Sequence, residues 1–91
     1  MPGLFDQIRS AVADEKYLVS WHADERAEER GITVWQLVSG LDNAVLVEER
    51  PSDRPNPTVL VRERLADGSE VRVVWSWLRR SRRAQLVTVY W

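Results

Sequence analysis

The sequence predicts an α+β fold in which two or three N-terminal helices pack on an antiparallel sheet of about four strands. Apolar residues recur at helical spacing up to Gly40, whereas from Ala44 onward Val, Trp and Thr are enriched in short runs with the alternation of strands. A chain of 91 residues is too short to bury two separate cores, so we expect residues 1–91 to form a single domain.

The first half of the chain contains two helix signals separated by a short extended segment. The run LFDQIRSAVADE places one apolar stripe on the core, formed by Leu4, Phe5, Ile8 and Val12. The segment KYLVSW is brief and extended, and it leads to Ser20, a suitable N-cap for a helix over roughly residues 21–30. Gly31 follows where a left-handed residue would end that helix.

The start of a third helix is marked twice. Thr33 and Gln36 have the spacing of a capping box, and Ile32 and Leu37 occupy the two positions of a hydrophobic staple around that cap. The helix VWQLVSGL then ends near Gly40. Because the joint between the second and third helices is fixed on both sides, we expect the second helix to be firmly oriented.

The second half of the chain alternates between strands and turns. The strand signals are AVLVEE, TVLVRERL, EVRVVWSWL and QLVTVYW, with an Asp-Gly hairpin turn at 66–69, a basic turn RRSRR at 79–83 and a proline-rich loop at 50–57. Alternation assigns one face to the core: Val71, Val73, Trp75 and Trp77, then Val87, Val89 and Trp91. The opposite face is the more open surface, where a ligand could rest: Arg72, Ser76, Thr88 and Tyr90.

Composition excludes several classes of protein. The chain has no cysteine, which excludes disulfides and thiolate metal sites, and its single histidine cannot make a standard zinc site. We find no Gly-rich phosphate loop, signal peptide or membrane-length apolar run, and expect a cytoplasmic protein without metal or cofactor. The net charge is −1, but residues 1–50 carry −5 and residues 51–91 carry +4, so any nucleic-acid contact would use a local patch.

The segment SWHADERAEERGIT contains the most suggestive charged pattern. His22, Arg26 and Arg30 recur every four residues and form one stripe on a helix. Two arginines can bind a phosphate bidentately while a histidine, which titrates near neutrality, transfers protons. Alternatively, the arginines form exposed ion pairs with Glu25 and Glu29, or Arg30 is partly buried and ties the helix to the sheet through a carboxylate.

Two further features are open to more than one interpretation. The basic turn could grip a nucleic-acid backbone or an acidic partner, or it could be a solvated turn that protects strand edges; its arginines are Arg79, Arg80, Arg82 and Arg83. The five tryptophans could stack on bases but are expected mainly in the core, with Trp21 and Trp91 as the exposed exceptions.

The pattern S-x-H-A-x-x-R-x-x-x-R-G-I-T at 20–33, with LVTVY at 86–90, resembles a bacterial family of domains of unknown function similar to BrnT and RelE/ParE-like toxins. The resemblance covers residues 4–91 and implies a RelE-like fold, an antitoxin partner and RNA cleavage. The residues that match are Ser20, His22, Ala23, Arg26, Arg30, Gly31, Thr88 and Tyr90.

Our leading hypothesis is therefore a toxin that acts as a metal-independent endoribonuclease. Arg26 and Arg30 would position the scissile phosphate, while His22 and Tyr90 transfer protons for attack by the neighbouring 2′-hydroxyl. RNA or a partner would contact Arg72, Thr88 and the arginines of the basic turn, Arg79, Arg80, Arg82 and Arg83. The alternative is a RelE-like binding module that pairs with an antitoxin or another protein and performs no chemistry.

Overall fold

The computed structural model describes residues 3–91, and it confirms the α+β class with three helices. In chain order the elements are α1 (Leu4–Ala13), β1 (Tyr17–Val19), α2 (Trp21–Glu29), α3 (Val34–Gly40), a 3₁₀ turn (Leu41–Asn43), β2 (Val45–Arg50), β3 (Thr58–Arg64), β4 (Glu70–Leu78) and β5 (Arg83–Tyr90). The predicted turns at 66–69 and 79–83 and the loop after Arg50 connect these strands.

The sheet has five strands rather than about four, and it is mixed rather than wholly antiparallel. Its order is β1-β5-β4-β3-β2, in which β2 to β5 form the predicted antiparallel meander. The additional strand comes from KYLVSW, where Tyr17 pairs in parallel with Ala84 and Val19 with Leu86. The sequence predicts only a brief extended segment there, because the strand with which it pairs lies 67 residues further along the chain.

The three helices lie on one side of this sheet, which we call the helix-covered face. Ile8, Ala11 and Val12 bury the apolar stripe of α1. The first turn of α1 is held against the sheet edge, because the backbone N–H of Phe5 donates to Oε2 of Glu49 on β2 at 3.0 Å. That carboxylate satisfies one of the free N–H groups at the helix start.

The predicted caps fix α2 and α3. Ser20 accepts a hydrogen bond from the Ala23 N–H at 3.0 Å, and its hydroxyl donates to the Val87 carbonyl at 2.9 Å, so the start of α2 is tied to β5. Gly31 ends the segment at φ 69°, and Thr33 and Gln36 form both bonds of the capping box. The orientation expected for α2 therefore follows from the caps at its two ends together with the bond from Ser20 to Val87 of β5.

The buried residues of β4 agree with the predicted core face, whereas β5 agrees with it only at Val89. Val71, Val73 and Trp75 are buried in the core. On β5 the buried residues are Ala84, Leu86 and Val89, whereas Val87 is half-buried and Trp91 is exposed. The reason is a β-bulge: Val74 pairs with Thr88 but Trp75 pairs with Leu86, so the extra residue reverses the alternation of β5 at that point.

The tryptophans divide between core and surface differently from the expectation. Trp75 is buried and Trp77 is half-buried, while Trp21 and Trp91 are 79% and 56% exposed, as predicted. Trp35 is 69% exposed, so its assignment to the core was wrong. Trp35 precedes the fully buried Leu37 by two residues, about 160° around the helix, so its side chain lies away from the deepest part of the core.

The side of the sheet without helices, which we call the helix-free face, is only partly open. Arg72 and Tyr90 are exposed there and Thr88 is half-buried, but Ser76 is 4% exposed, so its predicted place on an open surface was wrong. Leu60 and Val74 are also nearly buried on this face.

Candidate functional site

The charged stripe on α2 is exposed, and one of its members is already paired. His22 and Arg26 both lie in solvent, while Ala23 and Ala27 bury the other side of the helix. Nη1 of Arg26 is 3.3 Å from Oε2 of Glu29, with both side chains about half exposed. This is one of the exposed ion pairs that the alternative interpretation of the stripe predicts. At such exposure it contributes about 0.3 kcal/mol to the free energy of unfolding.

Arg30 lies beyond the last turn of α2, where it is the C-cap residue. Its side chain is half-buried and its Nε is buried without a hydrogen-bond partner. Within residues 3–91 no carboxylate lies within 4.0 Å of its guanidinium, so the predicted carboxylate tie to the sheet does not form. Arg30 is therefore held by packing at the joint between α2 and α3.

A second set of cationic side chains crosses the helix-free face. Arg62 on β3 lies directly opposite Arg72 on β4, and Arg72 lies directly opposite Tyr90 on β5. We call these three exposed residues the arginine–tyrosine row. Neighbouring strands are about 4.8 Å apart, so the row spans about 10 Å, the size of one or two nucleotides.

The two arginines of the row differ in whether a carboxylate neutralises their charge. Nε of Arg62 is 3.6 Å from Oε2 of Glu70, and that carboxylate also pairs with Arg64 at 3.2 Å. Arg72 has no ion pair with any acidic residue in the range 3–91. Its guanidinium is therefore available to an anionic ligand. A shallow cavity of about 90 Å³ adjoins it, lined by Arg62, Glu70, Val71, Arg72 and Trp91.

Arg50 extends the cationic surface toward β2. Its pKa is raised chiefly by hydrogen bonds from its guanidinium to Oε1 of Glu48 at 2.9 and 3.1 Å, with smaller contributions from nearby Asp53 and Tyr90. Sequence reasoning missed Arg50 and Arg62 as members of this surface. Alternation could have found Arg62, since it occupies the outward position two residues after Leu60 on the same strand.

The structure brings one predicted catalytic residue, Tyr90, together with two predicted RNA- or partner-binding residues, Arg72 and Thr88. Arg72 and Tyr90 are direct neighbours, and Thr88 lies two residues before Tyr90 on the same strand. The α2 stripe belongs to the other side of β5, because Ala23 and Ala27 seat that helix on the core. No hydrogen bond joins His22 to Tyr90, although Ser20 fixes the start of the helix beside Val87.

The basic turn is a separate cationic region at the far end of β4 from Arg72. All four of its arginines are exposed, and none forms an ion pair with another described residue: Arg79, Arg80, Arg82 and Arg83. Arg82 has φ 55° and donates its backbone N–H to the Leu78 carbonyl at 2.8 Å, which makes the turn tight. An open cavity of about 440 Å³ separates this turn from Pro55 and Asn56.

One ionisable residue that sequence reasoning missed lies inside the core. Glu63 on β3 is 0% exposed and neither carboxylate oxygen has a hydrogen-bond partner. Burial raises its pKa to about 8, while the nearby Trp75 indole acts weakly in the opposite direction without completing a hydrogen bond. Alternation contained the signal, because Glu63 follows Val59 and Val61 on the inward side of the strand.

Comparisons with known proteins give one family. The model of a domain of unknown function (DUF4258) matches residues 19–91. No curated protein matches, and no solved structure matches. In the described part of the chain, no helix has the length and apolarity needed to cross a bilayer. Within residues 3–91, no three acidic or histidine side chains are grouped to hold a metal ion.

Proposed function

The chain belongs to the DUF4258 family, and we propose that it is the toxin of a bacterial toxin–antitoxin pair, cleaving RNA in the cytoplasm without a metal ion. The observation that carries the proposal is the arginine–tyrosine row. Directly opposed like charges destabilise a strand pair, so Arg62 and Arg72 are better explained by an anion bound between them than by folding. The resemblance of residues 20–33 to a family similar to RelE-like toxins supports the same function.

The chemistry requires two proton transfers. The 2′-hydroxyl loses a proton and attacks the phosphorus, the bond to the 5′-oxygen breaks, and that oxygen gains a proton as a 2′,3′-cyclic phosphate forms. In our proposal Arg72 binds the non-bridging phosphate oxygens and stabilises the charge that builds on them. Tyr90, directly across from Arg72, protonates the leaving 5′-oxygen.

His22 is the proposed base for the first proton transfer. Its helix begins beside Val87, and β1 pairs with β5 only as far as Leu86, so RNA that passes over the end of β5 beyond Leu86 contacts both the helix and the row. Arg26 and Arg30 bind the flanking phosphates in this arrangement. Arg26 must exchange Glu29 for phosphate, which costs little because the ion pair is exposed.

The test is cleavage of a single-stranded RNA in EDTA by the purified chain and its variants. Arg72→Ala and Tyr90→Phe should each lower kcat/KM by about 100-fold, the usual scale for a lost general acid or phosphate contact. His22→Ala should have an effect of the same size. Arg64→Ala is the matched control, because Arg64 is an exposed arginine of β3 that is paired with Glu70.

Each outcome discriminates between assignments. If Arg72→Ala and Tyr90→Phe leave cleavage unchanged and His22→Ala abolishes it, the chemistry belongs to α2 alone and the row is not the site. An inactive wild-type chain that does not arrest growth when expressed without a partner overturns the proposed function.

A non-catalytic binding module is the second candidate, favoured by the exposed tryptophans and the unpaired basic turn. Trp21 and Trp35 present most of their rings to solvent, and large exposed aromatic groups are typical of contact surfaces. This candidate predicts a salt-sensitive complex with an antitoxin or other partner and no RNA cleavage. Binding should be lost when the four arginines of the turn are replaced: Arg79, Arg80, Arg82 and Arg83.

A further inference from the structure

An exposed aromatic side chain lies at the end of the arginine–tyrosine row. Trp91 follows Tyr90, the last residue of β5, and it is 56% exposed. The cavity of about 90 Å³ beside the row is lined by Trp91 together with Arg62 and Arg72. One indole and two guanidinium groups therefore border the same small space.

Neither the indole of Trp91 nor the guanidinium of Arg72 is engaged by an opposite group of the chain. Within residues 3–91 the one cation–π contact is that of Arg9 over the ring of Phe5, at 5.3 Å from the ring centroid, so no arginine covers the ring of Trp91. Arg72 has no ion pair in that range. An aromatic surface and a cation are thus presented side by side to a ligand.

The size of the cavity indicates what kind of ligand fits. Sites that enclose a small molecule usually measure about 300–1,000 Å³ and bury most of its surface. The cavity beside the row has only about 90 Å³, so a free nucleotide bound there would remain largely in water. A ligand on such an open surface gains affinity from contacts that recur along its length, as a nucleic-acid strand does.

We propose that Trp91 is a base-stacking residue, on which one unpaired base of a single-stranded RNA stacks while an adjoining phosphate binds Arg72. This role rests on the proposed function, because the strand is the RNA whose phosphate the row binds. Every base has a π face, so stacking on an indole tolerates any sequence, whereas a base inside a duplex is not available for it. The row therefore selects single strands without reading their sequence.

The first experiment measures binding to a strand that cannot be cleaved. The probe is a labelled RNA of about eight nucleotides, an ordinary site size, with 2′-fluoro groups in place of the attacking 2′-hydroxyls. Trp91→Ala should raise its dissociation constant about tenfold in fluorescence anisotropy, and Trp91→Phe should retain most of the affinity. Trp35→Ala is the matched control, because Trp35 is also exposed, at 69%, but belongs to α3. Circular dichroism checks that each variant is folded.

A second probe separates contact with the base from contact with the phosphate. An abasic strand of the same length keeps the phosphates and lacks the bases, so Arg72→Ala should weaken both strands and Trp91→Ala only the strand with bases. Trp91→Ala variants that bind both strands as the wild-type chain does, or that lose affinity equally for both, overturn the proposal. A mononucleotide that binds the wild-type chain as tightly as the strand also overturns it.

Cleavage of the matching strand with 2′-hydroxyls distinguishes failure of this proposal from failure of the proposed function. Trp91→Ala should raise KM about tenfold and leave kcat unchanged, because stacking is equally strong before and during the reaction. Cleavage with an unchanged KM in Trp91→Ala overturns the stacking role and leaves the nuclease standing. A wild-type chain that binds the 2′-fluoro strand through Trp91 but cleaves no RNA supports the stacking role and overturns the proposed catalysis.

Discussion

The two faces of β3 and β4 carry ionisable side chains under opposite conditions. On the helix-covered face Glu63 is fully buried without a donor, and its burial raises its pKa to about 8. On the helix-free face Arg62 and Arg72 oppose each other, yet both remain in water where the repulsion is screened. The same strands therefore carry an unpaired charge on the helix-free face only. We expect the free energy of unfolding to depend on pH through Glu63 on the helix-covered face. Binding at the helix-free face should instead depend on salt.

The largest expected effect comes from Glu63. Its folded-state pKa of about 8 lies above the ordinary value of 4.5, so the folded chain holds a proton that the unfolded chain releases. The free energy of unfolding should accordingly fall as the pH rises from about 4.5 to about 8, by at most about 5 kcal/mol. Glu63→Gln should remove most of this dependence in denaturant titrations at pH 5, 7 and 8.5.

Glu28→Gln is the matched control for that measurement, because Glu28 is an exposed glutamate on α2. Its pH dependence should follow that of the wild-type chain. A wild-type chain equally stable at pH 5 and pH 8.5 would contradict the role assigned to the buried carboxyl.

The next largest effect concerns the space around the same carboxyl. A Cβ added at Gly40 would lie 2.8 Å from Oε1 of Glu63, which is too close, and the surrounding core leaves the carboxyl little room to move. Gly40→Ala should lower the free energy of unfolding by about 1–3 kcal/mol. In a Glu63→Ala background the same change should cost less, and a double-mutant cycle measures the difference. Gly3→Ala is the control, since its Cβ would have an ordinary 3.8 Å contact.

On the helix-free face a smaller effect of opposite sign is expected. Arg72→Thr removes the like-charge pair with Arg62 and should raise the free energy of unfolding by about 0.2–1 kcal/mol. The same change should weaken binding of a single-stranded RNA about tenfold at low salt, measured by fluorescence anisotropy. Arg79→Thr, in the turn, should not stabilise the fold. A destabilised Arg72→Thr would mean that the row serves the fold rather than a ligand.

The smallest effect is expected at Ser76. Its Oγ is buried on the helix-free face without a hydrogen-bond partner, so Ser76→Ala should change the free energy of unfolding by less than about 0.5 kcal/mol. Ser20→Ala should cost about 1 kcal/mol or more, because that hydroxyl caps α2 and also bonds to β5. Thermal unfolding of the two variants side by side distinguishes an orphan hydroxyl from a capping one.

The features that the sequence predicted are those determined by neighbouring residues. Ser20, Thr33 and Gln36 cap their helices because the partners of each cap lie three residues away. The Asp-Gly turn places Gly68 at φ 90°, a conformation that glycine adopts without strain. In the candidate site, the neighbourhood of Arg72 and Tyr90 on one face followed from alternation alone.

The features that escaped prediction depend on distant parts of the chain. The parallel pairing of β1 with β5 has no local signal, and the bulge in β5 that moved Leu86 into the core is a property of two strands together. The exposure of Trp35 followed from which side of α3 meets the core, which hydrophobicity alone did not reveal. Alternation places Glu63 on the inward side of β3, but charged residues are so rarely buried that the pattern alone does not predict its burial.

The parallel strand at the sheet edge also has a consequence for the order of folding. The meander from β2 to β5 forms from adjacent hairpins, which close quickly because their loops are short. The contact of Tyr17 with Ala84 must instead close a loop of 67 residues, and such non-local pairings slow folding. We therefore expect β1, and the hydrogen bond that ties α2 to Val87, to form last. Amide hydrogen exchange should then be slowest in β3 and β4 and fastest in β1 and the first turn of α2.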